Sequence, residues 1–146
     1  MTNRTSPWKS YQQIATQTAP PGQLVLMLYD GAIRFLDRAL AGFSHEDPLL
    51  FNETISNNIL RTQQIVSELN NSLNMQQGGE FANNMRRLYN YFDWRLQQSN
   101  LRKEESGIHE IKGRLTILRE AWAQMLEQQG QRESTPAEQT VLLAQG

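Results

Sequence analysis

Four stretches of the chain repeat apolar residues every three or four positions, and breakers separate them. That pattern leaves room for little except packed helices. In the first stretch Leu24, Leu28, Ala32 (or Gly31), Phe35 and Ala39 share one stripe, and Val25, Tyr29, Ile33, Leu36 and Leu40 form a second beside it. The second stretch carries Phe51 (or Leu50), Ile55, Ile59, Val66, Leu69 and Leu73, with Thr62 and Gln63 interrupting it. The third has Phe81, Met85, Leu88, Phe92 and Leu96 as its expected inner face, with Tyr89, Tyr91 and Trp94 adding aromatic surface around it. The fourth runs Ile108, Ile111, Leu115, Leu118, Trp122, Met125. No strand-like alternation of any length, no hairpin turn signal and no internal repeat accompanies them.

The breaks are equally regular. Pro20-Pro21 forbids a helix running in from upstream, so the first helix starts near Gly22 and ends around Gly42–Ser44. Asp47-Pro48 reads as an N-cap followed by a proline in the first turn. Gly78-Gly79 breaks the chain again, a third helix begins near Glu80, and Ser106-Gly107 opens a fourth that Gly130 closes. Short connections make sequential helices antiparallel. The expectation is an all-α, antiparallel up-down four-helix bundle over residues 22–130. A mobile N-terminal arm, 1–21, precedes it and a flexible tail, 131–146, follows. In the arm Tyr11 and Ile14 share a face within one helical turn. The tail holds Pro136 and a short apolar patch, Val141-Leu142-Leu143.

Composition removes several classes of function. Length fits one domain with a proper core. Lys and Arg number 14 against 15 Asp and Glu, a net charge of −1, so nothing draws the chain to nucleic acid or an anionic membrane. Arg86-Arg87, Arg95, Arg102 and Lys103 give the third helix a basic bias, but Glu104, Glu105 and Glu110 answer it. There is no cysteine, and the longest apolar run, Leu24–Tyr29, is far too short to span a membrane. No signal peptide is seen, which makes a cytoplasmic protein the expectation. His45 and His109 lack the carboxylates a metal site would need, and neither a phosphate loop nor a nucleophile–base pair can be found. The chain is therefore expected to have no catalytic residues, no metal and no cofactor. With 16 Gln and 11 Asn its surface is amide-rich, suited to hydrogen-bonding a partner without opposite charge.

One run asks for a partner. Leu24-Val-Leu-Met-Leu-Tyr29 is apolar on every side for nearly two turns, more than a bundle core needs from one helix. An exposed patch of about 400 Å² would offer on the order of 10 kcal/mol gross on burial at ~25 cal/mol per Å². The Tyr11/Ile14 arm is a candidate cover, displaced when a client arrives, or else a fixed part of the core. Two readings of the surplus face stay open: a binding module for another polypeptide, and a structural bundle that homo-oligomerises through its first helix.

Tyr11-Gln-Gln-Ile14 and Pro21-Gly-Gln-Leu24-Val-Leu-Met-Leu-Tyr29-Asp-Gly-Ala-Ile33-Arg-Phe-Leu36 resemble the N-terminal signature of the flagellar export chaperone family FliS. Gln64-Ile65-Val66-Ser-Glu68-Leu69, Gly78-Gly-Glu80, Leu88-Tyr89-Asn90-Tyr91, Asn100 and Leu118-Arg-Glu-Ala-Trp122 continue the likeness in order, over about residues 8–126. The resemblance implies a cytoplasmic chaperone that binds the disordered C-terminal region of flagellin, prevents premature polymerisation and assists delivery to the flagellar type III export apparatus. It implies an export-gate component and flagellar regulators as further partners, and leaves monomer and weak homodimer open. Carried over by position, Tyr11 and Ile14 match a mobile cap, Leu24, Tyr29 and Ile33 the first-helix surface, and Leu88, Tyr89 and Tyr91 the third-helix aromatics. On that reading Tyr29, Ile33 and Tyr89 line apolar grooves, and Asn100 satisfies client backbone groups. Asn90 and Ser99 depart from the family's usual Asp and Ala.

Overall fold

The computed structural model of the chain describes residues 21–73 and 75–133. Tyr11, Ile14 and the Val141-Leu142-Leu143 segment lie outside them. Four helices make up the regular structure of the described residues: α1 (Pro21–Gly42), α2 (Pro48–Asn71), α3 (Met75–Arg102) and α4 (Ser106–Glu133).

Local chemistry sets the ends. Pro21 heads α1, a position where its missing N–H costs nothing. Asp47, in extended backbone, caps α2: its carboxylate accepts from the Leu49 amide at 2.8 Å, and Pro48 follows in the first turn. The expected break at Gly78-Gly79 is there, as a kink at which two helical pieces meet. Helical residues begin at Met75, and only Gly79, at φ 52° and ψ −129°, leaves helical geometry. A side chain disfavours that backbone region, and glycine does not. At the other end of α3, Lys103 takes the left-handed conformation (φ 51°) and the Glu104 amide reaches back to the Ser99 carbonyl at 3.1 Å. This is the helix-terminating pattern usually built on glycine. α4 continues through Gly130 to Glu133, so that glycine does not close it.

The helices form a closed ring in which each packs on its two sequence neighbours and α4 returns to α1. Cross-contacts fix the neighbouring pairs as antiparallel, α3 and α4 through Tyr91 with Glu110 and Arg95 with Glu104. Gly42 lies against Thr54 and Gly31 against Ile65. Asn70 bonds Asn90 while Ser56 meets Asn100, and Asp30 and Asp37 pair with Arg119 and Lys112 respectively. Leu28, Leu36, Ile55, Ile59, Ile65, Phe92, Leu96, Ile108, Ile111 and Leu115 fill the centre. Two sequence expectations change here. Thr62 does not interrupt the α2 stripe. It is fully buried within it, its hydroxyl donating to the Asn58 carbonyl at 2.9 Å. Phe81 is not on the inner face: it is 65% exposed, and Ala82 is buried in its place. The Asn70–Asn90 bond explains this, because α2 ends at Asn71 and has nothing to set opposite the first turns of α3.

Candidate partner-binding surface

The apolar run of α1 is shared out between its neighbours. Leu28 and Tyr29 are buried, Val25, Ile33, Phe35 and Leu40 pack on the core, and Leu24, Leu26 and Met27 are half-buried. The exposed positions of α1 up to Arg38 are Gln23, Arg34, Asp37 and Arg38. The outer apolar stripe expected of this helix is thus replaced by a polar one. α1 sits between α2 and α4, and two flanks of contact absorb what one flank could not.

Tyr29 and Tyr89, both expected to line grooves, meet inside the bundle. Their hydroxyls hydrogen-bond at 2.6 Å across the ring from α1 to α3, each side chain is only 3% exposed, and Tyr89 stacks edge-on against Phe92. Burial raises both phenol pKa values above the ordinary 10.0, since a phenolate there would lose its water. Leu88 and Ile33 are half-buried against the core, and Leu24 is half-buried near the start of α1. Asn100 is occupied by its own chain: its amide nitrogen lies 3.4 Å from the Ser56 hydroxyl, and its side-chain and main-chain oxygens accept from Lys103 Nζ. Tyr91 stands on the outside. Its hydroxyl donates to Glu110 at 2.6 Å and Arg114 lies over its ring. That hydrogen bond, with those from Arg95 and Arg114, holds the Glu110 carboxyl below its usual range.

Outward-facing apolar side chains cluster instead on α3. Tyr91, Trp94 (56% exposed) and Leu101 (70%) are spaced three and seven apart, on the side opposite the buried Tyr89–Phe92–Leu96 line. The Tyr91 and Trp94 rings lie 6.1 Å apart. Leu60 on α2 and Ile117 on α4 are exposed on the flanking helices. Amides bridge the α2–α3 seam: Asn70 to Asn90 at 3.0 Å and Gln63 to Gln97 at 3.2 Å. Tyr91 and Trp94 belong to the aromatic surface expected around the inner face of α3, whereas Leu101 is not singled out by the sequence. A second feature opens at the opposite flank of the bundle. There Gly22, Trp122, Met125, Leu126, Gln128 and Gln129 line a pocket of about 380 Å³, and the Trp122 indole donates to the Gly22 carbonyl at 2.8 Å.

Nothing among the described residues gathers His, Asp and Glu into a metal-binding group. No helix there is long and apolar enough to cross a membrane. The arrangement can hold a polypeptide against apolar and amide surface, and it offers no constellation for bond-making chemistry.

Comparison with known proteins agrees. The family model "Flagellar protein FliS" matches residues 4–129. The chain belongs to the FliS family. It is 37% identical to the flagellar secretion chaperone FliS of Salmonella typhimurium, over 80% of this chain and 87% of that protein. It is 34% identical to the flagellar secretion chaperone FliS of Bacillus subtilis, over 84% and 87%. With the flagellar secretion chaperone FliSB of Pseudomonas aeruginosa the identity is 27%, over 78% and 90%. As a member of the FliS family the chain is a flagellar export chaperone of the helical-bundle type, and not an enzyme. The family match also takes in the Tyr11–Ile14 motif, which the described residues do not reach.

Proposed function

We propose that this FliS-family chain works in the cytoplasm, binding the disordered C-terminal region of flagellin, preventing its premature polymerisation and assisting its delivery to the flagellar type III export apparatus. The observation that carries the reading is the exposed Tyr91–Trp94–Leu101 stripe on a bundle whose interior is already filled. A chaperone for a disordered segment needs apolar surface that its own fold leaves uncovered, with amides nearby for the client's backbone. Gln63, Gln97, Asn70 and Asn90 supply amides beside that stripe.

Of the expected site, Tyr91 on the exposed stripe, and Leu24, Ile33 and Leu88 half-buried at the edge of the core, would touch a client without rearrangement. Tyr29 and Tyr89 act beneath them by fixing α1 against α3. Tyr11 and Ile14 would cap the client surface and leave it on binding. An export-gate component and flagellar regulators would meet the loaded complex. Homo-oligomerisation through the first helix has less to recommend it, because the outward positions of α1 are polar.

Co-purification of the full chain with flagellin tests the proposal. A one-to-one complex is expected. A chain that is dimeric by light scattering and ignores flagellin would contradict it. Hydrogen exchange tests the cap separately, with faster exchange over Tyr11–Ile14 expected once flagellin is bound.

A further inference from the structure

Charge on α1 is sorted by face. Its only two carboxylates, Asp30 and Asp37, are held by α4 through Arg119 at 2.8 Å and Lys112 at 2.6 Å. On the flank toward α2, Phe35 is half-buried and two guanidiniums lie against its ring. Arg38, from α1 itself, stands 5.5 Å from the ring centroid, and Arg61, from α2, stands 5.6 Å away. Neither makes an ion pair with any of the described residues. The sequence shows why none is available locally. α4 holds both acids of α1, and the acids of α2, Glu53 and Glu68, lie about two helical turns to either side of Arg61.

A guanidinium stacked on an aromatic ring uses its flat face and keeps its rim of N–H donors free. Here one ring holds two such rims, brought from different helices. Contact with the ring limits the freedom these side chains would lose on meeting an acceptor. A carboxylate laid on this seam would find guanidinium N–H donors offered from two helices. We propose that Arg38, Phe35 and Arg61 form a receptor for an acidic side chain of the bound polypeptide, laid along the outer seam of α1 and α2. The inference rests on the chaperone reading above, because it takes the occupant to be that client. Nucleic acid fits the site poorly. Tracking a phosphate backbone needs a long line of cations, whereas this seam carries a short cluster on a chain of net charge −1.

The test is a titration of the full chain with full-length flagellin, at low salt and at several-fold higher salt. Wild type is compared with Arg38→Gln/Arg61→Gln, with Arg38→Lys/Arg61→Lys, and with Arg102→Gln as an exposed control on α3. Thermal melts establish that each variant is folded. The Gln pair is expected to weaken binding about tenfold at low salt and to flatten its salt dependence. The Lys pair keeps the charge without the fork and recovers only part of the affinity, and Arg102→Gln changes neither quantity. Wild-type affinity and wild-type salt response in the Gln pair would overturn the inference while leaving the chaperone reading intact. Failure of the wild type to bind flagellin would remove the chaperone reading, and this inference with it.

Discussion

Tyr29 and Tyr89 each hold the other's only polar atom in an apolar interior, so the pair stands or falls together. Tyr29→Phe leaves the Tyr89 hydroxyl buried without its partner and is expected to cost about 1–3 kcal/mol. Tyr29→Phe/Tyr89→Phe leaves no orphan, so urea unfolding should find the double variant less damaged than the two single losses added. The same pair gives a pH dependence. Both phenols have folded-state pKa values above the ordinary 10.0, because burial favours the protonated form. Above that pH the unfolded chain loses these protons while the folded chain keeps them. Their contribution is therefore complete below about pH 10 and declines as pH rises beyond it. Urea midpoints at increasing alkalinity should fall more steeply for wild type than for the double Phe variant.

Helix boundaries were mostly legible, because they depend on a few residues with strong local preferences. Asp47-Pro48 marks α2 in the sequence as clearly as in the structure, and Asp47→Ala should cost about 1 kcal/mol in a thermal melt. Gly79 shows where such reading stops. Two glycines announce a break, yet only backbone geometry reveals that a helical turn precedes it and that Gly79 alone carries the kink. Its φ of 52° predicts that Gly79→Ala destabilises by about 1 kcal/mol although open space surrounds the position, whereas Gly113→Ala, also in open space and without a positive φ, should be neutral or slightly stabilising. Thr62 and Phe81 were misplaced for a common reason. Periodicity says which residues share a face, but not how far the facing helix extends or whether a hydroxyl can bond its own backbone.

At the scale of the whole molecule the outward apolar side chains lie on another helix than the one the sequence points to. The Leu24–Tyr29 run is conspicuous in sequence, but α1 is flanked on two sides and its excess is absorbed. Trp94, legible in sequence as aromatic surface, and Leu101, which was not, stay outside because no helix packs on that side of α3. Closure of the ring decides this, and periodicity does not carry that information. If the outer α3 stripe receives the client, Trp94→Ala should weaken flagellin binding by about 2 kcal/mol and leave the melting temperature nearly unchanged. A Trp94 that merely caps the surface would leave affinity unchanged as well. The most direct measurement is calorimetric titration of the full chain with intact flagellin and with flagellin lacking its C-terminal segment. Tight one-to-one binding of the first and none of the second is predicted. Equal binding of both, or binding of neither, would contradict the account.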